Sequence, residues 1–292
     1  MRVMLTPNRC SAGAILLATC VALGPISPGN AQKPPLAAAG SPADAWRYAD
    51  IADLVAGAPI VLTARIVDAI AVPESSERPP RPGTIRYYLV GDVVALIRGP
   101  VGGVAPRVAW LADLPLDARG KPPKPKKSQV IVAALPVAGR PAELRLAARD
   151  ATVPWSAALE ARMRGVVATV IAPDAPPQVT GVSSAFHVAG TLPGESETQI
   201  FVATTTARPV SISILSRPGL AKTWSVALGE IVDEAAAPPR RDTLGWYRLA
   251  CFLPRSLSSA AVGELSQEDA AAARSDYAFV LNQLGPCTRM RS

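Results

Sequence analysis

Two mostly β units are what this sequence predicts: an antiparallel barrel, then an antiparallel meander closed by two helices. Three observations carry that expectation. Five short apolar or alternating runs lie between Pro59 and Ala148, separated by connections rich in proline and glycine. Four more runs follow Gly181, and two of their turns hold Pro193-Gly194 and Pro218-Gly219, both strong turn pairs. Finally, 30 prolines in 292 residues are about twice the usual share and disfavour long helices. With 49% hydrophobic but only 5% aromatic residues, the core must be built mainly from Val, Leu, Ile and Ala.

The first 31 residues are a separate object. Arg2 and Arg9 form a positive start, Ala12 to Leu23 is an almost unbroken small and apolar run, and Gly29-Asn30-Ala31 offers small residues for a signal peptidase. The run is short for a membrane span. Residues 1–31 are therefore expected to be a signal peptide and the mature chain to reside in the periplasm or medium. Leu17-Ala18-Thr19-Cys20 has the outline of a lipobox, but threonine stands where a smaller residue is usual and Cys20 lies inside the apolar run. Losing Arg2 and Arg9 would lower the formal charge from +7 to +5. Such a mild excess suits a partner with a negative surface. No recognition helix, stacking aromatic pair or zinc spacing accompanies it, which argues against nucleic acid.

Residues 32–40 read as a Pro/Ala linker. Ser41-Pro42-Ala43-Asp44 carries a capping serine, a first-turn proline and an acid, so a helix is expected from there to about Val55, ended by Gly57. Pro59 to Ile70 alternates as a strand with one fully buried face. Ile85 to Arg98 is the longest strand, with a bend or bulge expected at Gly91-Asp92. Arg107 to Leu111, Val130 to Leu135 and Leu144 to Ala148 complete five strands, and closing them into a barrel removes exposed edges. This helix and barrel are assigned to residues 41–150.

An α+β domain is assigned to residues 151–292. Trp155 and Ser156 open a helix with Leu159, Met163, Val166, Val167 and Val170 on one face. The meander strands are Ala185 to Gly190, Thr198 to Thr205, Val210 to Leu215 and Thr223 to Leu228. Asp242 is expected to cap a helix through Leu253, and Ser266 with Asp269 to cap the last one, which Gly285-Pro286 ends. Cleavage after Ala31 leaves Cys251 and Cys287, which in an oxidising compartment permit one disulfide.

Two resemblances follow from particular stretches. PIVLTARIVDAI, RYYLVGDVVALIRGP and the strand close GDVVALIRG resemble netrin- and inhibitor-like OB barrels over roughly Asp53 to Ala148. The paired N-terminal cysteines of those modules are absent, so no inhibitory edge or binding residue carries over. LPGESETQIF, ALGEIVDEAA, WYRLACFLP and DYAFVLNQLGPC resemble an uncharacterised family of exported proteins from sphingomonad-type alphaproteobacteria. That resemblance implies export and no particular activity, ligand or cofactor.

Candidate chemistry is sparse. His187 is the sole imidazole, and no Gly-x-Ser-x-Gly elbow accompanies Ser183, Ser184 or Ser196, so a structural histidine is the plainer reading. One histidine and two cysteines better spent on each other do not make a zinc site. Glu195 and Glu197 with Glu230, Asp233 and Glu234 supply oxygens a hard cation prefers, but no twelve-residue calcium loop is present. No metal or cofactor is therefore expected. If the protein is an enzyme, Glu195 or Glu197 is the candidate proton donor, Asp233 or Glu234 the base or nucleophile of a carboxylate hydrolase acting on glycan, and His187 an alternative base. The sharpest surface feature is the run from Arg119 to Lys127, where Arg119, Lys121, Lys124, Lys126 and Lys127 ride on a proline-stiffened segment. It points to contact with anionic envelope components or an acidic protein face. The main expectation is thus a non-catalytic exported binding or envelope-associated protein; the alternative is the hydrolase.

Overall fold

Strands β1 (Ile60–Ala71) and β4 (Gln129–Val137) form the spine of the molecule because each is apolar on both faces. Ile60, Leu62, Ala64 and Ile66 of β1 point into a barrel with Val130, Val132 and Ala134 of β4. Val61, Ile131 and Ala133 point the other way, into a second apolar cluster shared with α1 (Tyr48–Gly57) and α2 (Ala157–Val170). The single buried face expected for β1 is therefore two over its first residues. The computed structural model describes residues 46–73, 79–206, 208–227 and 237–291; the leader, the linker and the Ser41–Asp44 start signals lie outside them.

The barrel is completed by β2 (Thr84–Arg98), β3 (Arg107–Pro115) and β5 (Arg140–Leu146) in the order β1-β2-β3-β5-β4, closed by β4 pairing back to β1. All contacts are antiparallel except β3 with β5. This is the OB connectivity. A short β6 (Thr152–Pro154), not anticipated from the sequence, extends the sheet beside β4. The bend expected at Gly91-Asp92 is met from the partner strand: a register shift sits in β1 between Ile66 and Asp68, opposite Gly91 and Val90. Gly91 answers to packing instead, since a Cβ there would lie 3.0 Å from the Trp110 ring and 3.1 Å from the Ala64 methyl. Trp110 fills the barrel, and its Nε1–H donates to Thr152 Oγ1 at 2.9 Å.

The second sheet is the expected meander, in the order β7 (Val179–Ala189), β8 (Ser196–Thr204), β9 (Val210–Ser216) and β10 (Thr223–Ala227). Its inner face places Ala185, Ile200, Ile212, Ile214 and Trp224 in the larger cluster with α3 (Leu244–Ala250) and α4 (Gln267–Leu284). That cluster runs across both sides of Ala151, and the described residues all belong to one compact unit.

Helix ends follow local chemistry. Ser156, Thr243 and Ser266 each accept an N–H of the first turn through their side-chain oxygens. The α3 cap is therefore Thr243 and not Asp242, which sits in the left-handed region at φ 58°. Helix α1 begins at Tyr48, where the Asp50 carboxylate turns back to accept the Arg47 N–H at 3.0 Å. At its other end Arg98 Nη1 donates to the Val55 carbonyl at 2.8 Å.

The C-terminal segment is tied down twice. The Sγ atoms of Cys251 and Cys287 lie at disulfide distance, 2.06 Å, and link the end of α3 to the residues after α4. Beyond them the tail crosses α1. Asp50, fully buried, accepts the main-chain N–H groups of Met290 and Arg291, Asp53 accepts from Arg289, and Asp150 pairs with Arg291. Among the described residues no helix is long and apolar enough to cross a membrane.

Candidate functional site

A wide concavity lies on the barrel, a groove of about 930 Å³ outside β2, β3 and β5. Strand alternation makes it. Tyr87, Leu89, Trp110 and Leu144 point inward, which turns Tyr88, Leu111 and Arg145 outward. Tyr88 is opposite Leu111 and Arg86 opposite Asp113 across the β2–β3 pair. The floor is therefore an aromatic and an aliphatic side chain, with Leu111 51% exposed.

Charge around this groove is uneven. Arg86 grips Asp113 with two hydrogen bonds, Nε to Oδ1 at 2.7 Å and Nη2 to Oδ2 at 2.9 Å. Desolvation pushes the Asp113 carboxyl up, but the hydrogen bonds and charges of Arg86 and Arg81 outweigh it and hold it below the ordinary carboxylate range. Arg140 pairs with Glu143 at 2.8 Å. Arg145 and Arg149 are exposed and make no ion pair among the described residues. The groove thus holds two carboxylates, both already answered, and two unanswered guanidinium groups.

The basic run lies on the connection between β3 and β4, and it is more ordered than a solvated hairpin. Asp117 accepts the N–H groups of Arg119 and Lys121 at 2.8 Å each, and Tyr87 donates its hydroxyl to the Pro123 carbonyl at 3.0 Å. Lys126 is spent on Asp68 at 2.6 Å. Arg119, Lys121, Lys124 and Lys127 are exposed without an ion pair among the described residues.

The acid and histidine candidates do not share a face. Glu197 lies opposite Val188 and Leu215, on the outer side of the second sheet. There it lines a shallow groove of about 560 Å³ with Glu195, Phe186, Val188, Leu215 and Arg217. Glu195 bends back toward the Leu192 N–H at 3.4 Å, and Glu197 accepts from Gln199 at 3.2 Å. Asp233 and Glu234, the other half of the paired-carboxylate arrangement, lie outside the described residues, as does Glu230. Ser183 donates its hydroxyl to the Phe201 carbonyl at 2.9 Å. Among the described residues no three His, Cys, Asp or Glu side chains gather as a metal site requires.

His187 sits on the inner face, opposite Thr198. Its Nδ1 is 2.7 Å from Thr198 Oγ1, and the Thr198 hydroxyl donates to Asp276 on α4, which Lys222 also holds. Thr198 has one proton, and Asp276 takes it. The Nδ1 atom must then carry the hydrogen it gives to Thr198. The imidazole side chain is only 8% exposed and Thr198 is fully buried, so this row joins the meander to α4. Asp276, Thr198 and Lys222 were not singled out by sequence because no spacing rule links positions so far apart.

The groove residues were missed for a more local reason. β5 begins at Arg140, four residues before the expected start, which hid Arg140 in a turn and left Arg145 without an assigned face. The alternation of RYYLV, with Tyr87 inward and Tyr88 outward, was the one available signal. Comparison of the chain with models of known protein families and with curated proteins finds no match.

Proposed function

We propose that this is a non-catalytic exported binding protein, and that its barrel groove takes an extended anionic glycan of the cell envelope or its surroundings. The observation that carries this reading is the outer face of β2, β3 and β5: Tyr88 and Leu111 as a floor, and Arg145 and Arg149 exposed without an ion pair among the described residues. A half-buried aromatic such as Tyr88 beside the exposed Leu111 can stack on a sugar ring, while guanidinium groups attract carboxylate or sulfate substituents. OB barrels carry oligosaccharides and oligonucleotides on the strand 2 and 3 face. The leader read in residues 1–31 favours the glycan. The basic run from Arg119 to Lys127 adds long-range attraction that salt would screen.

Catalysis has less to stand on. Glu195 and Glu197 lie on a shallow outer sheet face, while His187 is turned inward to Thr198. The test is calorimetric titration of the protein with alginate, a carboxylated glycan, and with dextran, a neutral one. Alginate should bind at low salt and dextran should not. Arg145→Glu with Arg149→Glu should weaken alginate binding by about tenfold or more, since each reversal converts an attraction into a repulsion of order 1 kcal/mol. Equal binding by both proteins would refute the groove, and new reducing ends in the alginate would favour the hydrolase.

A further inference from the structure

We propose a second binding site, for a small phosphate-type oxyanion, in the cavity between the start of α1, the middle of α2 and the approach to α3. Three arginines from three separate stretches, Arg47, Arg162 and Arg241, line a cavity of about 160 Å³ with Trp46 and Trp246. One carboxylate, Asp242, shares the lining. The formal charge of these walls is therefore net positive by two. Arg47, Arg241 and Asp242 make no ion pair among the described residues, so on these walls Asp242 alone stands against the charges of Arg47 and Arg241.

Two of the arginines are already held in place. The Arg241 guanidinium lies 5.4 Å over the Trp246 ring, and Arg162 Nη2 donates to the Trp46 carbonyl at 2.7 Å. Trp246 is itself fixed, because its Nε1–H donates to the Leu284 carbonyl at 2.8 Å. Side chains ordered before the ligand arrives lose less freedom on binding. Tyr48 and Ala49 of the first turn of α1 line the same space, beside the Asp50 carboxylate that already caps that helix start.

Size and geometry select the ligand. The cavity is smaller than the ~300 Å³ at which sites for drug-sized molecules begin. It admits a single charged group, not a nucleotide or an oligosaccharide. Guanidinium groups offer several N–H donors each, which a group with three or more oxygens can use more fully than a planar carboxylate, which presents two. That group can come as free phosphate or as the exposed phosphate of a lipid headgroup. Asp242 opposes it, being a fixed negative charge on the wall.

The opposed signs of Arg241 and Asp242 provide the test. Inorganic phosphate is titrated into the full chain at constant ionic strength, with chloride as control, and the amide resonances of Tyr48 and Ala49 are followed. Saturable shifts are expected with phosphate only. In Arg47→Gln with Arg241→Gln the dissociation constant should rise about tenfold, the equivalent of roughly 1.4 kcal/mol for two charge-assisted contacts. In Asp242→Asn it should fall about threefold as the repelling charge is removed, and Asn tolerates the left-handed backbone there. Vesicles of phosphatidylcholine with and without phosphatidic acid form the second arm. Binding that needs phosphatidic acid and is lost in the double arginine variant assigns the site to a headgroup; phosphate binding without vesicle binding assigns it to the free ion. No saturable shift in either arm, or shifts unchanged in the arginine variant, overturns the proposal.

Discussion

Removing the Asp50 carboxylate should cost the protein much of its stability, although the residue lines none of the three concavities described above. Asp50 is fully buried, and three main-chain N–H groups converge on it: Arg47 at 3.0 Å, Met290 at 3.0 and 3.1 Å to its two oxygens, and Arg291 at 3.0 Å. In Asp50→Ala these donors lose their acceptor. A buried donor left unpaired costs about 1–3 kcal/mol. Water recovers part of that at Met290 and Arg291, which lie at a surface segment, so the low end applies to them. The expected loss is about 3–5 kcal/mol, a large share of the roughly 5–15 kcal/mol typical of a folded domain. Urea denaturation followed by circular dichroism measures it. Hydrogen exchange at the amides of Met290 and Arg291 measures it locally, and both should lose protection. Truncation after Thr288 removes two of the three donors, so the two changes should be non-additive by roughly 1–2 kcal/mol in a double-mutant cycle. A loss below about 1 kcal/mol, well under the sum for three unpaired donors, would refute the reasoning.

Other perturbations test other joints of the fold. Replacing Cys251 and Cys287 by serine opens a link across 36 residues, for which loop-closure entropy gives about 4 kcal/mol, read as a lower urea midpoint; no change would mean that the tail is held by Asp50, Asp53 and Asp150 alone. Gly91→Ala puts a methyl 3.0 Å from the Trp110 ring and should cost about 1–3 kcal/mol by overpacking, with altered tryptophan fluorescence. Acid should destabilise through Asp113 and Asp150. Desolvation raises both carboxyls, but Arg86 and Arg291 respectively outweigh it, and the net direction is downward. A folded pKa below the unfolded value of about 3.9 means stability that is complete above that pH and is lost as pH falls through the folded pKa. The urea midpoint should therefore fall from about pH 4 downward, and less so in Asp113→Asn; identical profiles would remove Asp113 from the account.

The barrel and the meander were legible because their signals are local. Period-two alternation, turn pairs such as Pro193-Gly194, and a capping serine at Ser266 each act within a few residues, and β8, β9, β10 and α4 stand close to where those signals put them, whereas β5 begins at Arg140 and β7 at Val179, ahead of the expected Leu144 and Ala185. The errors lie where a distant partner decides. β1 looks one-sided in sequence, yet α1 and α2 cover its second face. β6 is only three residues long and exists because β4 offers it an edge. Asp242 lost the cap of α3 to Thr243, one residue on, because the chain turns through a left-handed residue there.

The same distinction separates the polar residues that could be read from those that could not. The lysines of the Arg119–Lys127 run announce themselves by density, as do Glu195 and Glu197. Asp50, Asp276 and Arg145 look ordinary in sequence; Asp50 and Asp276 acquire meaning from partners 240 and 78 residues away in the chain, and Arg145 from the groove it lines. Asp50 and Asp276 are buried, and each is answered by donors from another part of the chain. Their role is to join distant segments, and His187 belongs with them through Thr198. Arg145, placed by strand alternation, and Arg149, just after β5, are the opposite case, charges at a groove with no ion pair among the described residues. The proposed binding role rests on that contrast: the buried carboxylates Asp50 and Asp276 are answered within the fold, whereas Arg145 and Arg149 at the barrel groove make no ion pair among the described residues and would attract a negatively charged ligand.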